Sequence, residues 1–403
     1  MKTLLSNFIG PAKSALLIAG MLLSAAPLAG ATTYSYRVPA KGVVSTFAFE
    51  GGGAPASVPA PPFIVQVATG SYCSLLLASD GSLWTSGKAM ADGTGNRGKA
   101  FKKIATTDKF ISVAAGSNHI LAVRDDGTLW GSGQTMLSEF MPSSGTQNTL
   151  VQVAGMTNVV SVIAGESYSM ALKSDGSLWG TGAGGGIART SWGRLNAADP
   201  TKVYSQMGGT WRTNLLLEPN GTLWAFGADD FGQAGDGMTG NNRWIGFTQV
   251  GGSDKFVAVA AADNHSLAIK VDGSLWGTGI GQYGNYGGTS NSSTFVPTAV
   301  GQTFTAVAGG PGYSLAIHTD GTIWGTGTNS YGELGDGTLV SRSTFARSTT
   351  EKYVKVVTSF GGGTLALRSD GTVWAAGYDY MQLGLNGVGT VRSFTKVPLP
   401  LVP

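Results

Sequence analysis

The sequence predicts an all-β protein, a seven-bladed β-propeller made of four-stranded antiparallel blades. The motif Asp-Gly-(Ser/Thr)-(Leu/Ile/Val)-Trp occurs seven times in 403 residues, once with Asn in place of Asp. Its glycines are 45 to 52 residues apart, a period that is typical of propellers and solenoids. Glycine is the commonest residue, with 63 copies, and only 12% of the residues are charged. This composition favours short strands joined by tight turns.

The second repeat shows the elements in order. Residues 110–114, 119–123 and 128–131 are predicted to be its first three strands. The pair Asp126-Gly127 between the second and third strands supplies the positive φ that a tight hairpin turn needs. A fourth, outer strand is expected after a variable loop, for example at residues 247–250 and 393–397. Four strands are the usual number for a propeller blade.

Both faces of each predicted sheet are apolar. The residues six and four positions before each motif glycine are aliphatic or Met, and the residue between them is Ala or Leu. Neighbouring positions on a strand point to opposite faces, so both faces must be covered, as they are when blades stack around an axis. The motif tryptophans are therefore predicted to be structural and to be buried between blades. They are Trp84, Trp130, Trp179, Trp224, Trp276, Trp324 and Trp374.

These marks resemble the regulator of chromosome condensation repeat family, whose fold is a seven-bladed propeller. The residues that carry the resemblance are Gly116-x-x-His119-x-Leu121-Ala122, the motif at residues 126–130, and residues 324–335. The resemblance covers about residues 62–397. The founding eukaryotic member is a nucleotide exchange factor that docks on chromatin, whereas a secreted bacterial propeller that inhibits β-lactamases is more similar in repeat type and export. The chain is thus identified as a secreted, bacterial-type member of this family.

Residues 1–31 are predicted to be a signal peptide. Lys2 and Lys13 flank an apolar run at residues 14–26, and Ala29-Gly30-Ala31 fits a cleavage site before Thr32. The alternative is an uncleaved anchor helix, although the run is short for a membrane span. We expect a secreted or periplasmic protein that is not inserted in a membrane once the signal is removed.

Residues 32–61 are predicted to hold one strand, at residues 43–49, and a Gly/Pro-rich linker at residues 51–61. That strand was expected to add to the edge of a blade, with a small cap or a tether as the alternatives. The propeller was expected to fill residues 62–403. Because the chain enters at a first strand and leaves at a fourth, the ring was expected to close without exchanging a strand.

Charge and residue usage exclude several classes of function. Without Lys2 and Lys13 the 26 basic residues become 24, against 23 acidic residues, and a net charge of +1 is too balanced for nucleic-acid binding. Cys73 is the single cysteine. His119 and His265 share a repeat position with tyrosines, which indicates packing and hydrogen bonding. We therefore expected no metal and no cofactor, and no phosphate-binding loop or Gly-x-Ser-x-Gly turn is present.

Loop carboxylates offer the one alternative in which the protein is an enzyme. A glycosidase needs only two suitably spaced carboxylates, and a carbohydrate-active enzyme therefore stays open beside a binding role. The candidates are Glu166, Asp229, Asp230, Asp236, Asp263, Asp336 and Asp379. Because Asp is also a common turn residue, the sequence favours a protein without catalytic residues.

Binding is predicted on the face opposite the Asp-Gly turns, where the loops vary. Aromatic residues and Arg are the usual anchors of an interface. The candidates are Trp192, Trp211, Arg212, Trp244, Tyr378 and Tyr380. Phe231, Tyr283 and Tyr331 share one repeat position and were expected to brace their loops. The predicted function is an exported, monomeric, noncatalytic binding module for a protein or glycan. The alternatives are the carbohydrate-active enzyme and, by analogy with the family that the chain resembles, a guanine-nucleotide exchange factor.

Overall fold

The structure is a computed structural model that describes residues 32–37, 44–49, 62–88, 98–135, 138–141, 145–209 and 212–399. The chain divides into two units, Met1–Pro59 and Ala60–Pro403. In the first unit, strands Thr32–Arg37 and Val44–Phe49 pair antiparallel with each other. The sequence predicted only the second of these strands, which pairs with a first strand that it did not predict. The predicted signal peptide and linker lie outside the described residues.

Within its described residues, the second unit contains seven four-stranded antiparallel sheets and no helix. This confirms the predicted seven-bladed propeller. The strands, blade by blade from blade 1 to blade 7, are Ile64–Thr69, Cys73–Ala78, Leu83–Gly87 and Gly98–Lys103; Phe110–Ala115, His119–Arg124, Leu129–Gln134 and Thr146–Gln152; Val159–Ala164, Tyr168–Lys173, Leu178–Gly184 and Ile187–Arg194; Gln206–Gly209, Thr213–Leu217, Leu223–Ala228 and Trp244–Val250; Phe256–Ala261, His265–Lys270, Leu275–Gly279 and Ser292–Thr298; Phe304–Gly310, Tyr313–His318, Thr322–Gly327 and Arg342–Lys352; and Lys355–Thr358, Gly363–Leu367, Val373–Asp379 and Gly389–Lys396.

Each blade is one continuous stretch of chain, since its four strands follow one another in the sequence and in the sheet. The first strands of neighbouring blades contact each other around the whole ring, including blades 7 and 1, so they line the axis. Blades 7 and 1 share an apolar cluster, and Ser86 Oγ donates to the Gln382 carbonyl at 2.6 Å. In the described part of the chain the ring therefore closes without a strand exchange, as expected.

The apolar core lies between the blades. Seven clusters of buried side chains each join one blade to the next. In blade 2, Leu121 and Val123 pack toward blade 3, whereas Ala122 between them packs toward blade 1. This alternation is the two-sided apolar pattern of the sequence, and it explains why each blade needs both neighbours.

The repeated motif builds a local hydrogen-bond network, which blade 2 illustrates. Gly127 has φ +80° at the turn, where only glycine is unstrained. Asp126 Oδ1 accepts hydrogen bonds from the Thr128 amide at 2.9 Å and the Thr128 hydroxyl at 2.6 Å. That hydroxyl in turn accepts from Trp130 Nε1 at 3.0 Å. The motif thus fixes both the turn and the orientation of the indole.

Each motif tryptophan packs against the cluster between its own blade and the preceding one. Trp84 is buried, but the other six are half-buried, which is less burial than the sequence suggested. A cation covers the outer face of several of the rings; Lys270 Nζ, for example, lies 3.2 Å from the Trp276 ring centroid. Six of the seven indoles therefore contact the core with one part of their surface and remain partly accessible to solvent with the rest.

A second repeat position links neighbouring blades by hydrogen bonds. His119 Nε2 lies 2.9 Å from Ser169 Oγ of the next blade. Tyr168 Oη donates to Asn214 Oδ1 at 2.7 Å, again across a blade boundary. His and Tyr can both occupy this position because each forms a side-chain hydrogen bond to the next blade. This agrees with the structural role expected for the histidines.

Candidate binding face

The antiparallel order of the strands sorts the connections into two faces. The Asp-Gly turns between second and third strands lie on one face, together with the connections between blades. The turns between first and second strands and the loops between third and fourth strands lie on the opposite face. We call this second surface the loop face.

Exposed large apolar side chains are concentrated on the loop face. In the described part of the chain, three such residues lie on the Asp-Gly side, namely Val203, Val271 and Val300. Those on the loop face are Tyr72, Phe231, Met238, Trp244, Tyr283, Tyr331, Leu339, Val340, Phe360, Tyr380 and Val388. Exposed apolar and aromatic residues gathered on one surface are typical of an interaction site.

Four tyrosines from blades 6, 7 and 1 form a continuous aromatic row on this face. The ring centroids of Tyr331 and Tyr378 are 5.1 Å apart, those of Tyr378 and Tyr380 are 4.2 Å apart, and those of Tyr380 and Tyr72 are 6.3 Å apart. The rings meet at steep angles of 66°, 60° and 69° respectively. Tyr380 is 52% exposed and Tyr331 is 49% exposed. The row therefore presents ring edges and faces to solvent together.

Tyr72, Tyr378 and Tyr380 line a groove with a volume of about 300 Å³ between blades 7 and 1. Tyr72, Tyr378 and Tyr380 form its aromatic wall, and Lys88, Lys99 and further residues of the loop that carries Tyr380 also line it. We call this feature the tyrosine groove. It can accommodate one or two side chains of a partner.

The loop that carries Tyr380 is folded around one carboxylate. Asp379 is buried and accepts hydrogen bonds from the amides of Met381 at 2.8 Å, Leu383 at 3.0 Å and Gly387 at 2.9 Å. These three hydrogen bonds tie the carboxylate to the backbone of its own loop. The sequence favoured Asp379 as a turn residue over a catalytic one, and its contacts fit that interpretation.

The two lysines give the tyrosine groove a positive charge. Lys88 Nζ lies 5.7 Å from the Tyr72 ring centroid and donates to Asn118 Oδ1 at 2.9 Å. Asn118 is neutral, so this bond leaves the ammonium charge uncompensated. Among the ion pairs formed by the described residues, none includes Lys88 or Lys99.

A second cavity on the loop face, of about 460 Å³, lies at blades 3 to 5. Its lining includes Glu166, Arg212, Trp244 and Asp263. Arg212 Nη1 pairs with Asp230 Oδ2 at 2.9 Å, and the guanidinium lies 5.4 Å from the Trp244 ring centroid. The cavity thus combines an exposed indole with more carboxylates than cations, and we call it the acidic cavity.

Burial raises the pKa of two carboxyl groups that line the acidic cavity. Desolvation raises the pKa of Asp263 to about 6; Arg212 opposes this shift and the negative charge of Glu166 adds to it. Burial also raises the pKa of Glu166. Asn264 Nδ2 donates to Asp263 Oδ2 at 2.8 Å. Two carboxyl groups with raised pKa therefore line one cavity.

The six predicted binding residues fall in different places. Tyr378 and Tyr380 line the tyrosine groove, and Arg212 and Trp244 line the acidic cavity. Trp192 is half-buried, packs against the cluster between blades 2 and 3, and donates from Nε1 to the Phe140 carbonyl at 3.1 Å. This placement suits packing. Trp211 lies outside the described residues.

The sequence did not single out the other parts of the tyrosine groove. Tyr331 was expected to brace its loop because it shares a repeat position with Phe231 and Tyr283, but all three rings are exposed. Lys88 and Lys99 were not considered. A signal existed for Lys88: it directly follows Gly87, one of the glycines that stand six residues after the motif glycine in every repeat.

The remaining loop carboxylates of the sequence analysis form ion pairs. Asp229 and Asp236 both contact Arg243, and Asp336 contacts Arg342. In the described ranges, no group of three or more His, Cys, Asp or Glu residues is arranged to hold a metal ion. Those ranges also contain no helix that is long and apolar enough to cross a membrane.

Comparison with known proteins gives a consistent result. The model of the regulator of chromosome condensation (RCC1) repeat matches residues 110–134 and 304–333, in blades 2 and 6. The X-linked retinitis pigmentosa GTPase regulator homolog of Caenorhabditis elegans is 39% identical over 89 residues, which are 21% of this chain. The match spans only 6% of that curated relative.

Solved structures share the fold over most of the chain. Yeast RCC1 (Prp20), in its complex with Kap60, has a TM-score of 0.66 and 17% identity, and the alignment covers 84% of each chain. Human WBSCR16 has a TM-score of 0.64 and 16% identity over 79% of this chain and 87% of its own. Together with the seven observed blades, these likenesses show that the chain is a seven-bladed β-propeller, and segments of its blades 2 and 6 match the RCC1 repeat.

Proposed function

We propose that this protein is an exported, noncatalytic binding module that holds a protein partner on its loop face. The tyrosine groove and the exposed aromatic residues around it are the observation that carries the proposal. Tyrosines that are preorganised by contact with one another lose little conformational entropy on binding, which favours them as interface anchors. The variation of the loops on a repetitive scaffold is a common arrangement for recognition.

The structural neighbours support a protein ligand. The description of Prp20p from Saccharomyces cerevisiae names its binding to Gsp1p and histones, and another structure holds the same protein with Kap60. Propellers of this kind thus serve as protein-binding surfaces. Export is supported by the leader features of residues 1–31, and a ring that closes on itself suits a monomer.

The test is capture of partners by the mature protein from the culture medium and envelope of its source, compared with the variant Tyr72→Ala/Tyr380→Ala. The matched control is Tyr283→Ala, which removes an exposed tyrosine of the same face that lies outside the groove. We expect specific partners to be lost in the double variant and kept in the control. Equal capture by all three proteins would refute binding at the groove, and an unprocessed N-terminus would refute export.

A second candidate function is a carbohydrate-active enzyme that uses the acidic cavity. The observation in its favour is that Glu166 and Asp263 share one cavity and both have raised pKa values, as a general acid requires. Release of nitrophenol from a panel of nitrophenyl glycosides tests it, with Asp263→Asn as the control. Nucleotide exchange has no comparable support in the cavity or the groove.

A further inference from the structure

Building on the proposed function, we propose that the tyrosine groove binds an acidic segment of the partner protein. Carboxylates of that segment pair with Lys88 and Lys99, while a neighbouring apolar or aromatic side chain packs among the tyrosine rings. The inference therefore specifies the partner's chemistry, which the proposed function leaves open.

The charges of the tyrosine groove favour an acidic ligand. Lys88 and Lys99 line it, and the one carboxylate among its lining residues, Asp379, is buried and held by three backbone amides of its own loop. Among the described residues, the surface that a ligand meets is therefore positive. Opposite charge on the ligand is the complementary arrangement, and it also discriminates against wrong partners.

The shape of the tyrosine groove favours an extended peptide segment over a folded domain or a sugar ring. A volume of about 300 Å³ holds one or two side chains rather than a folded domain, which favours an extended peptide segment. The rings of Tyr378 and Tyr380 are inclined at 60°, and those of Tyr380 and Tyr72 at 69°. Because no two of these rings share a plane, they make a cleft for a side chain rather than a flat platform for a sugar ring.

The acidic cavity is a less suitable place on the loop face for an acidic segment. The acidic cavity exposes Glu166 and Asp263, and its single arginine, Arg212, is already paired with Asp230. An acidic segment is repelled there and attracted to the tyrosine groove. Of these two cavities, the tyrosine groove at blades 7 and 1 is therefore the one whose charge fits an acidic ligand.

The experiment selects a random dodecapeptide phage library on the immobilised mature protein. Parallel selections use Lys88→Gln/Lys99→Gln, Tyr380→Ala, and the control Lys352→Gln, which removes an exposed lysine beside the Asp-Gly turn of blade 6. The dominant peptide is then synthesised and its Kd is measured by fluorescence anisotropy at low and high NaCl. Polygalacturonate is tested as a competitor in the same assay.

We expect the wild type and Lys352→Gln to enrich peptides rich in Asp and Glu. The double lysine variant should bind the dominant peptide about tenfold more weakly, in line with about threefold for each exposed charge, and Tyr380→Ala should bind it at least about tenfold more weakly. Added salt should weaken binding to the wild type much more than to the double lysine variant.

Enriched peptides without an excess of acidic residues, or acidic peptides that bind the double lysine variant equally well, would overturn the inference and leave the proposed function standing. Failure to enrich any peptide would count against both. Binding of polygalacturonate that depends on the same lysines and exceeds that of the peptide would replace the peptide with an acidic glycan.

Discussion

The imidazole Nε2 of His265 in blade 5 lies 2.7 Å from the hydroxyl of Ser314 in blade 6. His119 makes the same contact with Ser169 between blades 2 and 3. Both histidines are buried, and burial lowers the pKa of His265 to about 3 and that of His119 to about 4. These rings are therefore neutral hydrogen-bonding links between blades, and their protonation is coupled to stability.

Acidification should destabilise the propeller through these histidines. Below pH about 6.5 an unfolded histidine takes up a proton, whereas the folded rings remain neutral until about pH 4, so the free energy of unfolding falls as pH drops between these values. Each ring contributes a slope of up to about 1.4 kcal/mol per pH unit. Urea unfolding of the wild type and of His119→Gln/His265→Gln at pH 7 and pH 5 tests this. Asp263, with its raised pKa, acts in the opposite direction but equally in both proteins, so equal slopes would contradict the prediction.

Removal of a motif tryptophan should cost more where the ring is fully buried. Trp84 is 7% exposed, and we expect Trp84→Ala to lower the free energy of unfolding by about 3–5 kcal/mol. Trp276 is half-buried under Lys270, and Trp276→Ala should cost only about 2–3 kcal/mol. Denaturant unfolding of the two variants measures the difference. A larger loss for Trp276→Ala would show that the cation above the ring contributes more than burial does.

The glycine at or near the end of each third strand, six residues after the motif glycine, should tolerate no side chain. A Cβ on Gly133 would lie 2.3 Å from the Asn118 carbonyl oxygen, and the residue has φ +110°. Gly133→Ala should therefore prevent folding or cost more than about 3 kcal/mol. The control is Gly155→Ala, where φ is +74° but nothing lies within 4 Å of the added Cβ, with an expected cost of about 1 kcal/mol. Similar losses at both sites, measured by thermal unfolding, would reject the steric explanation.

Cys73 should be unreactive in the folded protein. Its side chain is fully buried, burial raises the pKa of the thiol to about 12, and Sγ donates to the Gly116 carbonyl at 3.3 Å. Because the thiolate is the reactive species, a disulfide reagent at pH 8 should label the protein only after denaturant is added. Rapid labelling of the native protein would mean that the boundary between blades 1 and 2 opens readily.

The pKa of Asp263 should respond to its neighbours with predictable signs. Glu166→Gln removes a negative charge and should lower it, whereas Arg212→Gln removes a positive charge and should raise it. Carbon-detected NMR titration of the carboxyl groups measures both shifts. Shifts of the opposite sign would show that the two side chains do not face Asp263 in solution.

The fold followed from the sequence because every repeat encodes the same local geometry. The Asp-Gly turn, the alternating aliphatic residues and the glycine exemplified by Gly133 act within one blade or between adjacent blades, so their spacing alone predicts the structure. The tyrosine groove did not follow, because Tyr72 and Tyr380 meet only when the two ends of the ring come together. A contact between residues about 300 positions apart produces no repeating pattern in the sequence from which it could be predicted.

The absence of an exchanged strand, in the part of the chain that the structure describes, makes the boundary between blades 7 and 1 different in kind from the other six. Six boundaries are reinforced by the peptide chain that runs across them, whereas the seventh is held by side-chain packing and a few hydrogen bonds alone. A pulling force on the two ends of the ring would load this seam first. The tyrosine groove spans that seam, so a ligand bound there would act as a clasp that joins the first and last blades.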